Sequence, residues 1–241
     1  MKIVCLIFGG GNVKYYNAVN RLVRELKQFY KFDDIVTYTD MDLEKTDFYK
    51  THKKFITSNK RGFGYWIWKP YYVHTELLKL DTDDILLYLD CGFEINPKGF
   101  DRFFSYLFET KNKDSLLFYL EDKHTEKRWN KMDTIKRVLG EEYDDNLLER
   151  PQIMASAFLL KKCDRVMNFV REWLEICQEY KFINDEVSDS DNFQEFIEHR
   201  HDQSVFSLLA KKYNLNCIFD ETWPDTMVDK DSPLRAMRKY N

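Results

Sequence analysis

The chain has 241 residues, long enough to bury a substantial core, and its 44% hydrophobic and 32% charged residues suit a single globular domain spanning 1–241. A formal net charge of -4, with Lys and Arg dispersed along the chain, argues against nucleic acid as a partner. Five cysteines without C-x-x-C or Cys/His spacing argue against a disulfide framework or structural zinc and fit a reducing cytoplasm.

Residues 2–8 form an apolar run that reads as a first strand. It is broken by Gly9-Gly10-Gly11, with no small-residue cleavage site after it. No apolar run reaches membrane-spanning length, so any membrane contact is expected to be peripheral. Tyr15, Val19, Leu22, Val23, Leu26 and Phe29 then recur at helical spacing. A second strand over 35–39 ends at Asp40, and a polar stretch leads to the dense segment 61–70, where Pro70 opens a helix carrying Val73, Leu77, Leu78 and Leu80.

A strand over 85–89 stops at Asp90-Cys91-Gly92, and Phe100, Phe103, Phe104 and Leu107 mark the next helix. Residues 116–120 read as a buried strand, 121 to about 150 as a polar mobile stretch, 155–160 as a strand and 163–180 as a helix with one apolar stripe. A turn-rich loop over 183–192 precedes a helix carrying Val205, Phe206, Leu208 and Leu209, and 215–219 reads as the last strand. The tail beyond about 225 is expected to be peripheral, with its basic end after Pro233 loosely held. This alternation predicts an α/β fold with a mainly parallel central sheet covered by helices on both faces. Ligands in such folds sit outside the C-terminal strand ends.

Several segments carry candidate chemistry. Asp90 follows a buried strand, where a carboxylate reaches the ligand cleft and suits a divalent ion; a turn cap ahead of Gly92 explains it equally well. Arg61-Gly62-Phe63-Gly64-Tyr65-Trp66-Ile67-Trp68-Lys69-Pro70 packs two glycines, aromatics and cations into ten residues. Arg61 and Lys69 suit phosphate, and Tyr65, Trp66 or Trp68 suit stacking on a base or sugar, although tryptophans in such a segment also serve as core anchors. In His199-Arg200-His201-Asp202-Gln203, Asp202 is either a helix cap or an acid that takes a proton from an acceptor hydroxyl, and Gln203 suits a sugar hydroxyl or phosphate. Asp40 is placed to accept from a base or ribose, or merely to end a strand. The small residues of Pro151-Gln152-Ile153-Met154-Ala155-Ser156-Ala157 permit close approach of a sugar or of a helix.

Gly9-Gly10-Gly11 is a weak dinucleotide signal, because the pattern would need glycine where Lys14 stands. No Walker A, G-x-S-x-G or H-E-x-x-H motif occurs.

Together, the 61–70 segment, Tyr88-Leu89-Asp90-Cys91-Gly92 and His201-Asp202-Gln203-Ser204-Val205-Phe206, in this order, resemble small GT-A glycosyltransferases of bacterial surface-polysaccharide clusters and large DNA viruses. The resemblance extends from the first strand to about Phe219. It implies a nucleotide diphosphate sugar donor, UDP-linked by preference, a glycan acceptor, Mn2+ or Mg2+, and a cytoplasmic location in a bacterium or a virus-infected host. Carried over by position, Asp90 looks like the last acid of a metal-binding D-x-D motif, Arg61 and Lys69 like donor-side cations, and Asp202-Gln203 like the polar pair near the transferred sugar, with Asp202 the nominal base of an inverting transfer. The residues themselves add Asp40, Tyr65 and Trp68 to the donor side, and His201 or His199, or water, as a further metal contact. The chain departs from that pattern at Tyr88, where D-x-D has its first Asp. Two other classes compete: a sugar nucleotidyltransferase, whose Arg-containing glycine-rich loop is missing from 9–13, and a non-catalytic glycan-binding module.

Overall fold

Alternation along the central strands builds the molecule. The computed structural model describes residues 1–223 and 231–240. In β1 (Ile3–Phe8), Val4, Leu6 and Phe8 join one buried cluster while Ile3, Cys5 and Ile7 join another. β3 (Ile85–Asp90) divides in the same way, with Leu86 and Tyr88 against Ile85, Leu87 and Leu89. Because successive side chains point to opposite faces, each strand feeds two cores, and every residue from Ile3 to Leu89 in these two strands is buried.

Six strands form the main sheet, in the order β2-β1-β3-β6-β5-β7. The remaining members are β2 (Asp34–Tyr38), β5 (Ser115–Tyr119), β6 (Ala157–Lys161) and β7 (Cys217–Phe219). β1 pairs in parallel with β2 and β3, and β5 with β7, whereas β6 is antiparallel to both of its neighbours. The connection from β5 to β6 stays at the C-terminal end of the sheet, held by bridges Tyr119–Ile153 and Thr125–Pro151, so β6 has to run back. The sheet is therefore mainly parallel with one reversal. That reversal brings the start of β6 to the edge where β1 and β3 end.

Helices cover both faces. α1 (Val13–Phe29) and α6 (Phe100–Lys113) pack on one, and α5 (Trp68–Lys79), α10 (Asp164–Gln178) and α11 (His201–Lys212) on the other. Shorter helices are α2 (Asp40–Leu43), α3 (Asp47–Ser58), α4 (Gly62–Tyr65), α7 (Glu126–Trp129), α8 (Met132–Leu139) and α9 (Asp145–Leu148). The polar stretch after Asp40 thus contains a helix, α3, started by the Thr46 side chain and buried through Tyr49, His52 and Ile56.

Two expectations need correction. The stretch 121–150 is pinned rather than mobile, because Glu126 is fully buried and meets the Lys211 ammonium, the Ser207 hydroxyl and the Asn130 amide. Polarity in this stretch reflects an internal ion pair. The described part of the tail is likewise held in place. β8 (Leu234–Arg235) pairs with β4 (Glu94–Ile95), Leu234 and Ala236 are buried, and the Lys239 amide donates to Gly92 O at 2.9 Å. The tail also includes 224–230 and 241, which lie outside the described residues.

Removing one partner of a buried pair leaves the other charge uncompensated. Glu126→Ala is therefore expected to destabilise the protein by about 3–5 kcal/mol, read from the urea midpoint. A change of about 0.5 kcal/mol or less, typical of exposed sites, would mean that this stretch is not anchored.

Candidate functional site

Where β1 and β3 end and β6 begins, a cleft of about 1180 Å³ opens above the sheet. At its floor, the Lys69 ammonium donates to Ala155 O at 2.9 Å and lies 3.2 Å from Asp90 Oδ1 and 3.6 Å from Asp202 Oδ2. The first turns of α5 and α11, the end of β3 and the approach to β6 are thereby tied to one cation. Lys69 and Asp202 side chains are only 4% and 5% exposed, against 37% for Asp90, which therefore faces the cleft.

Three charges share a poorly hydrated site, and one ammonium cannot fully satisfy two carboxylates. Burial pushes the Asp202 pKa up to about 7; Lys69 opposes that rise and the Asp90 carboxylate adds to it. Lys69 moves upward on balance, because burial lowers it but the two carboxylates outweigh burial. Asp202 Oδ2 is buried with no hydrogen-bond partner. Burial thus pushes the Asp202 carboxyl up towards neutrality.

Tyr88, standing where a D-x-D motif has its first Asp, donates its hydroxyl to Asp90 Oδ1 at 2.7 Å. The same oxygen therefore faces a hydroxyl donor and an ammonium. A dication beside that ammonium would meet strong repulsion, and no group of three His, Cys, Asp or Glu side chains able to hold a metal occurs among the described residues. His201, the expected second ligand, is bonded to the backbone through one ring nitrogen. Its Nδ1 donates to Ile183 O at 2.7 Å, and its Nε2 is buried without a hydrogen bond, 3.7 Å from Asp185 Oδ1. Burial lowers its pKa, with Arg61 lowering it further, which keeps the ring neutral. His199 is occupied at both nitrogens, donating to Phe182 O and accepting from the Lys131 amide. Among the described residues, the groups around Asp90 are a poor donor set for the expected Mn2+ or Mg2+.

The 61–70 segment takes an uncommon path. Gly62, Phe63, Gly64, Tyr65 and Trp66 all have φ between 54° and 85°, so α4 is a left-handed turn. Each non-glycine residue there costs roughly 1–2 kcal/mol. Gly62 is required, since a Cβ at this position would lie 2.3 Å from the Trp66 ring. Amides of Tyr65 and Trp66 donate to Arg61 O and Gly62 O, and the Trp68 indole donates to Gly62 O at 2.9 Å. Strain of this kind persists only where surroundings enforce it, and it concentrates at functional sites.

Arg61, Trp68, Lys69, Asp90, His201, Asp202 and Gln203 all line the cleft; Asp40 and Tyr65 do not. Asp40 sits behind the glycine loop and accepts from the Tyr16 hydroxyl at 2.6 Å. Tyr65 stacks on His201, with ring centroids 4.6 Å apart. Trp68 is 5% exposed and stacks on Phe8 at 3.7 Å, which makes it an anchor of the segment. Half-buried Phe63 and Trp66 line the cleft and offer it aromatic surface. Gln203 accepts from the Ala155 amide and donates to Gln152, so it braces the small residues before β6. Arg61 is half exposed at the rim, loosely paired with Asp185 and Glu198 at 3.6 and 3.9 Å.

Sequence reasoning missed Lys14, Arg200, Arg238 and Tyr240, which also line the cleft. Arg200 stacks on Trp129, its guanidinium 3.7 Å from the ring centre. The Gly9–Gly11 loop beside Lys14 was a usable signal for that residue. Arg238 and Tyr240 carried none, because only the fold returns the tail to the cleft.

No protein-family model matches the chain, and no curated protein matches it. Among solved structures, it is similar to a glycosyltransferase involved in the glycosylation of the major capsid of PBCV-1. That match has 13% identity, a TM-score of 0.53, and covers 98% of this chain and 94% of the other. A mouse xyloside xylosyltransferase 1 matches at 10% identity and a TM-score of 0.47, over 92% and 87% of the two chains. The chain has a GT-A-like fold.

A carboxyl whose folded pKa lies near 7 against about 4 unfolded retains a proton on folding between those values, so its contribution to stability falls as pH rises through that window. Asp202→Asn removes this titration. The variant's melting temperature, measured relative to the native protein, is expected to rise from pH 4 to pH 8. A difference that stays flat with pH would contradict the assignment.

Proposed function

We propose that the chain transfers a sugar from a nucleotide diphosphate donor, UDP-linked in the first instance, to a hydroxyl of a glycan acceptor. The observation that carries this reading is the Lys69–Asp90–Asp202 cluster at the floor of a large cleft, at the ligand-binding edge of a GT-A-like sheet. Asp202 is the base. With its pKa near 7 it is ionised in a useful fraction of molecules at neutral pH and still holds a proton well once it has one.

An acceptor hydroxyl meeting the Asp202 carboxylate at the cleft loses its proton to it as its oxygen bonds to the anomeric carbon. The bond from that carbon to the diphosphate breaks with the electron pair going to the leaving phosphate, and attack from the opposite side inverts the configuration. Lys69 stabilises the ionised form of Asp202 before the proton moves, and Asp90 raises its affinity for the proton. Phe63 and Trp66 supply aromatic surface for a base or sugar. No step is routed through a divalent ion, because the donor set does not suit one.

The test is the identity of the products. Incubation with a panel of nucleotide sugars and glycan acceptors is expected to release nucleoside diphosphate, and Asp202→Asn is expected to lower the rate by about 10²–10⁴-fold. The native pH–rate profile should fall below about pH 7 as Asp202 takes up its proton. Release of pyrophosphate from a nucleoside triphosphate would identify a nucleotidyltransferase instead. Glycan binding without affinity for any nucleotide would identify a binding module.

A further inference from the structure

A leaving nucleoside diphosphate carries two to three negative charges, which something in the cleft must neutralise. The lining holds six cations, Lys14, Lys60, Arg61, Lys69, Arg200 and Arg238, against four acids, Glu44, Asp90, Glu198 and Asp202, a small positive excess whose use depends on which cations are already engaged. The cations present are therefore informative one by one. Lys69 is fixed against Asp90, as described above. Arg200 is stacked on Trp129, and Arg61 is turned towards Asp185 and Glu198.

Lys14 and Arg238 differ from these. Neither forms an ion pair with a carboxylate among the described residues, both line the cleft, and both are held there by aromatic rings. The Lys14 ammonium lies 4.8 Å from the Tyr15 ring centre and 5.3 Å from that of Tyr240, and the Arg238 guanidinium lies 5.2 Å from that of Trp223. Tyr15 and Tyr240 pack edge to face at 5.3 Å, which joins the start of α1 to the chain's last turn.

Gly92 permits this arrangement two residues beyond Asp90. A Cβ there would come within 3.3 Å of the Arg238 Cα and 3.4 Å of the Tyr240 ring. Arg238 has φ 50°, a costly value for arginine, and the next residue is fastened at both ends of its peptide: the Lys239 amide donates to Gly92 O, and the Arg21 guanidinium donates to Lys239 O at 2.8 Å. A surface arginine with nothing to do would relax from such a conformation. This one lines the same cleft as Asp90.

We propose that this protein binds the donor diphosphate without a divalent metal, the Lys69 ammonium occupying the cation position beside Asp90 while Lys14 and Arg238 take the phosphate oxygens. The inference rests on the transferase reading above and assigns the tail a direct part in donor binding. It also accounts for the substitution of Tyr88 for the first acid of the motif: with a built-in cation, a hydroxyl donor to Asp90 serves better than a second carboxylate.

Calorimetric titration of the full chain with UDP, GDP, CDP and TDP, in EDTA and then in Mn2+, tests the idea. At least one nucleotide is expected to bind in EDTA with an affinity within about twofold of that in Mn2+. A charged hydrogen bond contributes about 1.5–3 kcal/mol, so Lys14→Ala and Arg238→Ala are each expected to weaken binding about 10- to 100-fold. Both are exposed, so loss of folding does not confuse the result, and circular dichroism checks it. Affinity should also fall with rising salt in the native protein, less steeply in the variants. Binding that appears only with Mn2+, or that ignores both substitutions, would overturn the inference and leave the transferase reading standing. No binding of any nucleotide under either condition would overturn both.

Discussion

Everything at the site depends on one buried ammonium. Lys69 reaches the point where four elements converge, and its contacts with Ala155 O, Asp90 and Asp202 fix the spacing of the end of β3, the approach to β6 and the start of α11. Burying a lysine is costly unless it is paired. The pairing here is uneven, two carboxylates to one cation: burial raises the proton affinity of Asp202, Lys69 only partly offsets that rise, and Asp90 adds to it. The burial that makes Lys69 need its partners is also what prepares an acid for proton transfer.

The left-handed turn 62–66 follows from the same requirement. α5 must begin with Lys69 pointing into the sheet edge, and the chain arrives from α3, which buries Tyr49 and Ile56 in the same core cluster as α5. Five residues of positive φ turn it sharply, Trp68 locks the turn through Phe8 and Gly62 O, and Phe63 and Trp66 are left facing the cleft. Backbone strain there is offset by the aromatic packing that surrounds it.

Much of the scaffold was legible in the residues. The apolar runs that became β1, β3 and β5 have no competing interpretation, and the apolar stripe of α10 is long enough to identify a helix. The direction of β6 was not legible, because a strand's sequence does not record which way it runs. Nor was the anchoring of 121–150, since Glu126 and Lys211 are 85 positions apart and each alone looks like surface charge. Of the site, the clusters around residues 61–70, 88–92 and 199–203 stood out by composition. What could not be read was the partition of roles within them: Trp68 as an anchor, His199 as a backbone brace, Tyr88 as a hydroxyl donor. Those depend on which atoms are already spent, and only three-dimensional neighbours settle that.

The account places the donor's diphosphate over Asp90, between Lys14 and Arg238, with the sugar towards Asp202. A crystal structure of the protein with a bound nucleoside diphosphate, grown in EDTA, examines that most directly. Phosphate oxygens within hydrogen-bonding distance of the Lys14 ammonium and the Arg238 guanidinium, with the base against Phe63 or Trp66, is the predicted result. A nucleotide seated away from Asp90, or one whose phosphates touch neither cation, would contradict it.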